Sequence, residues 1–283
     1  MKKTTIVFKS VFAISFLLCS CGNNENKETE SGDTATTAVA DTTPVNELAN
    51  FRFTYAIANL PSPLQVLDEF SKSNLPTDIG LLNPTENAEK YHSSFKHALN
   101  YGIYGVDMGY LVVNNRTLES IKYYSISKKL AEQLNMSETF NKFVNRFENN
   151  SNNKDSLLRV IDEAYSATDS YLHSNERLET ASEILAGSWI ECQHLTVNLL
   201  KNADRNADNE KLYDRIYEQR LHLDNITKVL DEFKNDTELM KIKKDFENLL
   251  SIYKELNSSQ DVTKGFLAKL SISLEKVRNN IIS

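Results

Sequence analysis

Proline and glycine are scarce in this sequence, and all of the prolines fall in its first third. The 283 residues include five prolines and eight glycines; no proline follows Pro84, and only five glycines do. Because both residues interrupt regular structure and mark tight turns, their scarcity argues against a turn-rich β fold and favours long helices. Only one short segment, residues 51–55, alternates in the manner of a strand.

Cysteine is equally scarce, with three residues at positions 19, 21 and 192. The first two belong to the N-terminal signal described below. Cys192 is therefore alone in the folded part, which excludes an internal disulfide there. It lies in an apolar helical stretch, so we expect a buried, unreactive thiol.

Long apolar runs, basic stripes and catalytic motifs are also missing past the first 20 residues. The best candidate for a membrane-spanning helix, 98–113, carries Asp107 and three glycines, whereas a span needs ~20 predominantly apolar residues. The net charge of −7 argues against nucleic acid as a partner. No nucleophile elbow, phosphate loop or paired-cysteine metal motif is present, so nothing in the sequence is positive evidence for an enzyme.

The first 21 residues have the pattern of a bacterial lipoprotein signal, residues 1–20 being the signal peptide. Three lysines precede the apolar run Val11–Leu18, and Leu18-Cys19-Ser20-Cys21 matches the lipobox. We expect cleavage before Cys21 and acylation of that cysteine, palmitate included, which anchors the protein to a membrane. The alternative, an anchor that is not cleaved, needs ~18–20 apolar residues, more than this run supplies.

Residues 21–50 comprise the lipidated cysteine and an acidic, polar stalk. Gly22–Asn50 has no aromatic residue and cannot bury enough apolar surface to fold; as a flexible coil it reaches ~30 Å. Its glutamates at positions 25, 28 and 30 resemble the acidic patch that some Gram-negative groups use to send lipoproteins to the outer face of the outer membrane. A plain soluble spacer is the alternative. Gly22 stands where an inner-membrane retention aspartate would be, so we favour the outer membrane, on either face.

Residues 51–283 are expected to form an all-α domain, a bundle of about eight to nine helices. Apolar residues recur at helical spacing, and polar runs such as 149–153 mark the breaks. The predicted helices are 63–73, 85–113, 116–134, 137–148, 154–174, 177–201, 209–233, 238–256 and 262–280. Residues 85–201 form a half rich in aromatic and small residues, and residues 209–281 form a strongly charged half.

The segments Ala98–Tyr110 and Leu185–Glu191, in this order behind a lipobox, resemble a family of uncharacterised all-helical bacterial lipoproteins. The resemblance covers most of the chain after the stalk. It implies the helical fold and the envelope location. It implies no activity, substrate or catalytic residue.

Three glycines in one predicted helix, Gly102, Gly105 and Gly109, project within about 60° of one another at 100° per residue. Such a strip lets another backbone approach closely, and 186–188 (Ala-Gly-Ser) offers a matching surface. We therefore predict that the two helices touch near their midpoints. Access of a ligand to the strip is the alternative.

Asp107 is the one acid or base, tyrosines aside, in the apolar stretch 98–113. A buried carboxylate must be paired, hydrogen-bonded or protonated. Asp107 is thus either a structural pin, bonded to tyrosine hydroxyls or a helix end, or part of a polar ligand pocket with Tyr104, Tyr110 and Trp189. More broadly, an aromatic groove could be lined by Trp189 and the tyrosines at positions 91, 101, 104, 110, 123 and 124. Core packing is the competing interpretation for all of these aromatic residues.

Two Glu-x-x-His pairs, Glu89/His92 and Glu191/His194, suggest an alternative metal site. In ferritin-like bundles two such pairs on facing helices, with two further carboxylates, hold iron or another divalent metal. His173 and Glu176 form a His-x-x-Glu that resembles the motif of imelysin-like lipoproteins, although Tyr171 replaces the glycine of that motif. Chance pairs and a solvated helix end are the competing explanations.

The sequence therefore predicts a membrane-tethered envelope lipoprotein whose helical domain binds a small molecule or an envelope protein, or acts as a scaffold. The aromatic half, 85–201, is the expected binding region. A metal-binding helical protein, ferritin-like or imelysin-like, is the alternative. No other cofactor is expected.

Overall fold

Helices dominate the computed structural model, which describes Thr54 and residues 63–150 and 152–283. Cys21, the signal peptide and the stalk lie outside these residues. The described part holds α-helices and short 3₁₀ turns but no strand, which confirms the all-α class. The α-helices are α1 (Pro63–Lys72), α2 (Ser94–Val113), α3 (Thr117–Gln133), α4 (Ser137–Asn149), α5 (Lys154–Ser174), α6 (Leu178–Leu200), α7 (Glu210–Leu230), α8 (Thr237–Tyr253) and α9 (Lys264–Ile282).

The predicted helix 85–113 is wrong in its first part. The chain forms a 3₁₀ turn over Thr85–Lys90, becomes extended at Tyr91, and enters α2 only at Ser94. Ser93 caps the new helix, its hydroxyl accepting a hydrogen bond from the Lys96 N–H at 3.2 Å. The buried Tyr91 side chain and this cap stabilise the break, and neither changes the apolar periodicity from which the helix was predicted.

Several helices end on a residue with a left-handed backbone. Asn74, Asn115 and Asn135 follow α1, α2 and α3 with φ of 53°, 59° and 55°. Asparagine tolerates this conformation better than most other residues with a side chain, so it serves here where glycine is common in other proteins. The chain can therefore turn sharply between helices despite its low glycine content.

Two helices, α2 and α6, lie at the centre and are buried along almost their whole length. One hydrophobic core packs around them from the side of α1, α7, α8 and α9. A second core packs around them from the side of α3, α4 and α5. Cys192 is buried on α6 as expected, and burial raises the pKa of its thiol. None of the described helices has both the length and the apolar character needed to cross a bilayer.

The glycines of α2 and α6 explain how closely these helices approach. A Cβ atom on Gly187 would lie 1.9 Å from the carbonyl oxygen of Leu99, and one on Gly102 would lie 2.3 Å from that of Ile184. Both contacts are with backbone, which cannot move aside as a side chain can. The prediction that the two helices touch at these glycines is confirmed.

The other two glycines of the predicted strip have different neighbours. Gly105 lies under the ring end of Tyr165 from α5, and Gly109 lies under the side chain of Leu67 from α1. The three glycines therefore do not face one partner, because α2 is surrounded by several elements along its length.

Candidate functional site

A buried ion pair joins the central helix α6 to α9. The Arg278 guanidinium donates to the Glu191 carboxylate twice, at 2.5 Å from Nε and 2.8 Å from Nη2. Nη2 also donates to the Leu81 carbonyl at 3.0 Å. Glu191 is fully buried and Arg278 is 5% exposed, so this bidentate pair has little contact with water.

Asp107 adds a second carboxyl group to this pair. Its Oδ2 accepts from the backbone N–H of Asn83 at 3.0 Å, while its Oδ1 is buried without a hydrogen-bond donor. Burial first, and then the neighbouring Glu191, raise the pKa of Asp107 well above its ordinary value, although Arg278 opposes the shift. A carboxyl group with such a raised pKa holds its proton where an ordinary aspartate has lost it, and a proton directed from Oδ1 to Glu191 would give that atom a partner. We refer to Asp107, Glu191 and Arg278 as the carboxyl network.

Polar neighbours extend this network without leaving the protein interior. The Asn83 amide donates to the Tyr91 hydroxyl at 3.0 Å and to the Asn100 side chain at 3.3 Å. His194 lies with Nε2 3.2 Å from the Leu81 carbonyl and Nδ1 3.1 Å from the Asn198 amide. Asp107 accepts from a backbone N–H and has the Glu191 carboxyl group, rather than tyrosine hydroxyls, beside it, and the arrangement ties α2, α6 and α9 together.

The structure does not bring together the residues of the alternative metal site. No three His, Cys, Asp or Glu side chains in the described ranges are grouped so that they could hold one ion. Glu191 is paired with Arg278, whereas Glu89 is 76% exposed and pairs with Lys129 at 2.6 Å. The break before α2 places Glu89 and His92 outside the helix that the prediction required.

The imelysin-like pair is also separated by a helix end. His173 lies in the last turn of α5, and Glu176 follows the helix with φ of 55°. The two residues therefore do not share a helical face. His173 Nε2 instead lies 3.0 Å from the Thr54 hydroxyl.

The three predicted ligand aromatics are core residues whose polar atoms have protein partners. The Tyr104 hydroxyl donates to the Pro84 carbonyl at 2.9 Å, and the Tyr110 hydroxyl accepts from the Asp78 N–H at 3.0 Å. The Trp189 indole donates to Gln219 at 2.9 Å. These contacts fit the core-packing interpretation, and the structure does not place the three around one pocket with Asp107.

A different polar feature lies in the second core, where a cavity of about 30 Å³ opens between α2, α3, α4 and α5. We refer to it as the hydroxyl cavity. Its walls carry no charged side chain and are mostly aromatic or aliphatic. They are formed by Tyr101, Gly105, Met108, Tyr124, Ser127, Phe140, Phe143, Phe147, Val160, Ile161, Ala164 and Tyr165.

Two hydroxyls on these walls, those of Tyr124 and Ser127, are buried without a hydrogen-bond partner, whereas the Tyr165 hydroxyl has Ser188 within reach. Each unpartnered hydroxyl costs roughly 1–3 kcal/mol if nothing satisfies it. Burial raises the pKa of Tyr124. It also raises the pKa of Tyr165, where the hydrogen bond with Ser188 opposes the shift. The two unpartnered hydroxyls therefore remain neutral and able to donate.

An outer groove lies on the other side of Tyr124 and Phe147. It has a volume of about 480 Å³ and is also lined by Ile121, Ser125, Lys128, Val144 and Glu148. The Tyr124 and Phe147 rings stack with their centroids 4.1 Å apart and their planes 7° from parallel. Because both rings line the hydroxyl cavity as well, this stacked pair separates the groove from the cavity.

Sequence reasoning included Tyr101 and Tyr124 in a possible aromatic groove but did not identify the hydroxyl cavity that they line. Two signals were present: Tyr124 and Ser127 are three residues apart on α3, and α4 carries Phe140, Phe143 and Phe147 at helical spacing. Both are ordinary in a helical core. Whether a hydroxyl has a partner depends on the neighbouring helices, which the pattern along one helix does not reveal.

Comparisons with protein-family models, curated proteins and solved structures found no match to this chain.

Proposed function

We propose that this chain is a cell-envelope lipoprotein, tethered through a lipid on Cys21, whose helical domain binds a small molecule in the hydroxyl cavity. The lipobox supports the tether, and the glutamates behind Cys21 support placement on the outer membrane. One observation carries the binding proposal, namely the two unpartnered hydroxyls of Tyr124 and Ser127 on the walls of one cavity.

A bound ligand would explain why these hydroxyls have no hydrogen-bond partner within the protein. Nearly all buried polar side chains in proteins have a hydrogen-bond partner, so two exceptions at one cavity call for an explanation. As the cavity stands, it has room for about two water-sized groups. A ligand that fills it supplies both the missing hydrogen-bond partners and apolar contacts to the aromatic walls.

Nuclear magnetic resonance can test the binding directly, because Met108 lines the cavity. The mature protein is labelled with ¹³C at its methionine methyl groups and titrated with a panel of small compounds, charged and uncharged. At least one compound is expected to shift the Met108 methyl resonance saturably. The Met240 methyl on α8 is the internal control and should not move. If no compound shifts Met108, the binding proposal is wrong.

The tether is tested separately in cells. Metabolic labelling with a radioactive fatty acid is expected to mark the natural chain and not the Cys21→Ala variant, and only the natural chain should stay in the membrane fraction after a salt wash. Equal retention of both chains in the membrane would contradict the tether.

A further inference from the structure

The hydroxyl cavity also indicates which chemical class it accepts, and this inference rests on the proposed binding function. We propose that the ligand is an uncharged, ring-bearing molecule with a hydrogen-bond acceptor such as a carbonyl oxygen, and that it enters from the outer groove between Tyr124 and Phe147.

The ligand is expected to be uncharged because the cavity walls carry no charged side chain. No residue lining the cavity is ionisable near neutral pH, and no cation or anion on them is available to pair with a charged ligand. A charged molecule would lose its hydration on entry without receiving a compensating partner. The free charges nearby, Lys128 and Glu148, line the outer groove and not the cavity.

The acceptor follows from the two unpartnered hydroxyls, Tyr124 and Ser127. Each carries one proton to donate, and one carbonyl oxygen has two lone pairs that accept. Ser127 is 2% exposed and Tyr124 is 7% exposed, so water at the surface does not reach them freely. A carbonyl oxygen between these hydroxyls removes the cost of leaving them unpaired.

The ring follows from the shape and composition of the walls. Phe140, Phe143 and Phe147 from α4 face the cavity together with Tyr124. Tyr124 lies 4.1 Å from the Phe147 ring centroid and 5.2 Å from that of Phe140. Aromatic rings favour such contacts at 4.5–7 Å and in offset stacks, so a planar ligand can take over the contacts that Tyr124 makes in the closed form.

The route of entry follows from the space on either side of Tyr124. A volume of about 30 Å³ is too small for a ring, so the cavity must widen. The groove of about 480 Å³ gives Tyr124 space to move outward, and an aromatic pair contributes only about 0.5–1.5 kcal/mol beyond its burial. The exposed Leu118 and Ile121 of α3 form an apolar surface on the groove side of the same helix.

Two probes of nearly equal shape test the ligand class. Acetophenone carries a carbonyl oxygen where α-methylstyrene carries a CH₂ group, and benzoate carries a charge. Calorimetric titration of the mature protein is expected to show acetophenone binding at least tenfold more tightly than α-methylstyrene, with no binding of benzoate. Ser127→Ala should reduce the preference for acetophenone to less than threefold.

Ser120→Ala is the matched control for Ser127→Ala. Ser120 is buried on the same helix, but its hydroxyl donates to the Thr117 carbonyl at 2.7 Å, so the preference for acetophenone should remain. Equal affinity for the two neutral probes, or tight binding of benzoate, overturns the ligand class. If another compound of the panel shifts Met108 while acetophenone does not bind, the ligand class is wrong and the binding function stands.

The entry route has its own test. Phe147→Leu removes the stacking partner of Tyr124 and is expected to raise the association rate of acetophenone at least threefold in stopped-flow measurements. Phe246→Leu, in the core on the other side of α6, is the control and should leave that rate unchanged. An unchanged rate in Phe147→Leu would overturn the route.

Discussion

The carboxyl network and the hydroxyl cavity are both polar features buried beside α2, yet they differ in how their polar atoms are satisfied. In the network, Arg278 pairs with Glu191, and Asp107 accepts from the Asn83 N–H while its raised pKa favours a proton that Glu191 can accept. In the cavity, the hydroxyls of Tyr124 and Ser127 lie among apolar walls without a partner. A buried polar group that forms its hydrogen bonds within the protein holds the neighbouring helices in place. A buried polar group without a partner can instead bond to a ligand.

The largest effect is expected from breaking the carboxyl network at Glu191. Glu191→Gln leaves the Arg278 charge buried without its counter-charge, which costs about 3–5 kcal/mol. Asp107→Asn should cost less than about 1 kcal/mol, because the amide can accept from Asn83 and donate to Glu191 as the protonated acid does. Urea denaturation at neutral pH measures both. Equal losses would show that Asp107 is ionised and that no proton is shared.

A smaller loss is expected where backbone meets backbone at the α2 and α6 crossing. Gly187→Ala forces the new methyl against the Leu99 carbonyl, and we expect a loss of about 3 kcal/mol in the free energy of unfolding. Gly105→Ala meets the ring end of Tyr165, which has the hydroxyl cavity beside it, so the loss should be about 1 kcal/mol. Thermal denaturation measures the loss of stability in both variants. A larger loss in Gly105→Ala than in Gly187→Ala would contradict the view that the Leu99 backbone cannot move aside while the Tyr165 side chain can.

Glu183 is a buried carboxyl that has no cation comparable to Arg278, and it predicts a pH dependence. Burial, followed by Glu179 and Asp236, raises its pKa to about 8. The folded state therefore keeps the proton that the unfolded chain loses near pH 4.5, so the contribution to stability is full below that pH and falls as the pH rises through 8.

Glu183→Gln should remove this loss, making the variant nearly equal in stability to the natural chain at pH 4, more stable by about 2 kcal/mol at pH 6, and more stable still at pH 8.5. Denaturant midpoints across this pH range measure the difference. A constant difference between the two chains would contradict the raised pKa.

The smallest effect is expected in the hydroxyl cavity and has the opposite sign. Ser127→Ala removes an unpartnered hydroxyl and should stabilise the fold by about 1 kcal/mol. Ser120→Ala has the same gain in helix propensity but breaks a hydrogen bond to Thr117, so it should be less stable than Ser127→Ala by about 1 kcal/mol. A loss of stability in Ser127→Ala would show that its hydroxyl is satisfied in solution.

Helical periodicity was enough to predict the elements but not what their buried polar groups do. The bounds of α5 were predicted from the sequence without error, and the approach of α2 to α6 followed from Gly102 and Gly187. The break before α2 was missed because it depends on the burial of Tyr91 and on a cap, both local to a few residues.

The candidate site depended on contacts between residues distant in sequence. Glu191 was considered for metal binding because of His194, three residues away, whereas its partner, Arg278, lies 87 residues away. Tyr104, Tyr110 and Trp189 were considered for ligand binding because they are aromatic, and each proved to be bonded inside the core. Partners of this kind become visible only when the helices are assembled.

The most direct test of the binding claim is a nuclear Overhauser measurement between the Met108 methyl group and bound acetophenone. Contact between them is predicted in the natural chain and in Ser120→Ala, and it should weaken or vanish in Ser127→Ala at the same probe concentration. Contacts confined to the Ile121 and Val144 methyl groups of the outer groove, with none to Met108, would contradict binding in the hydroxyl cavity.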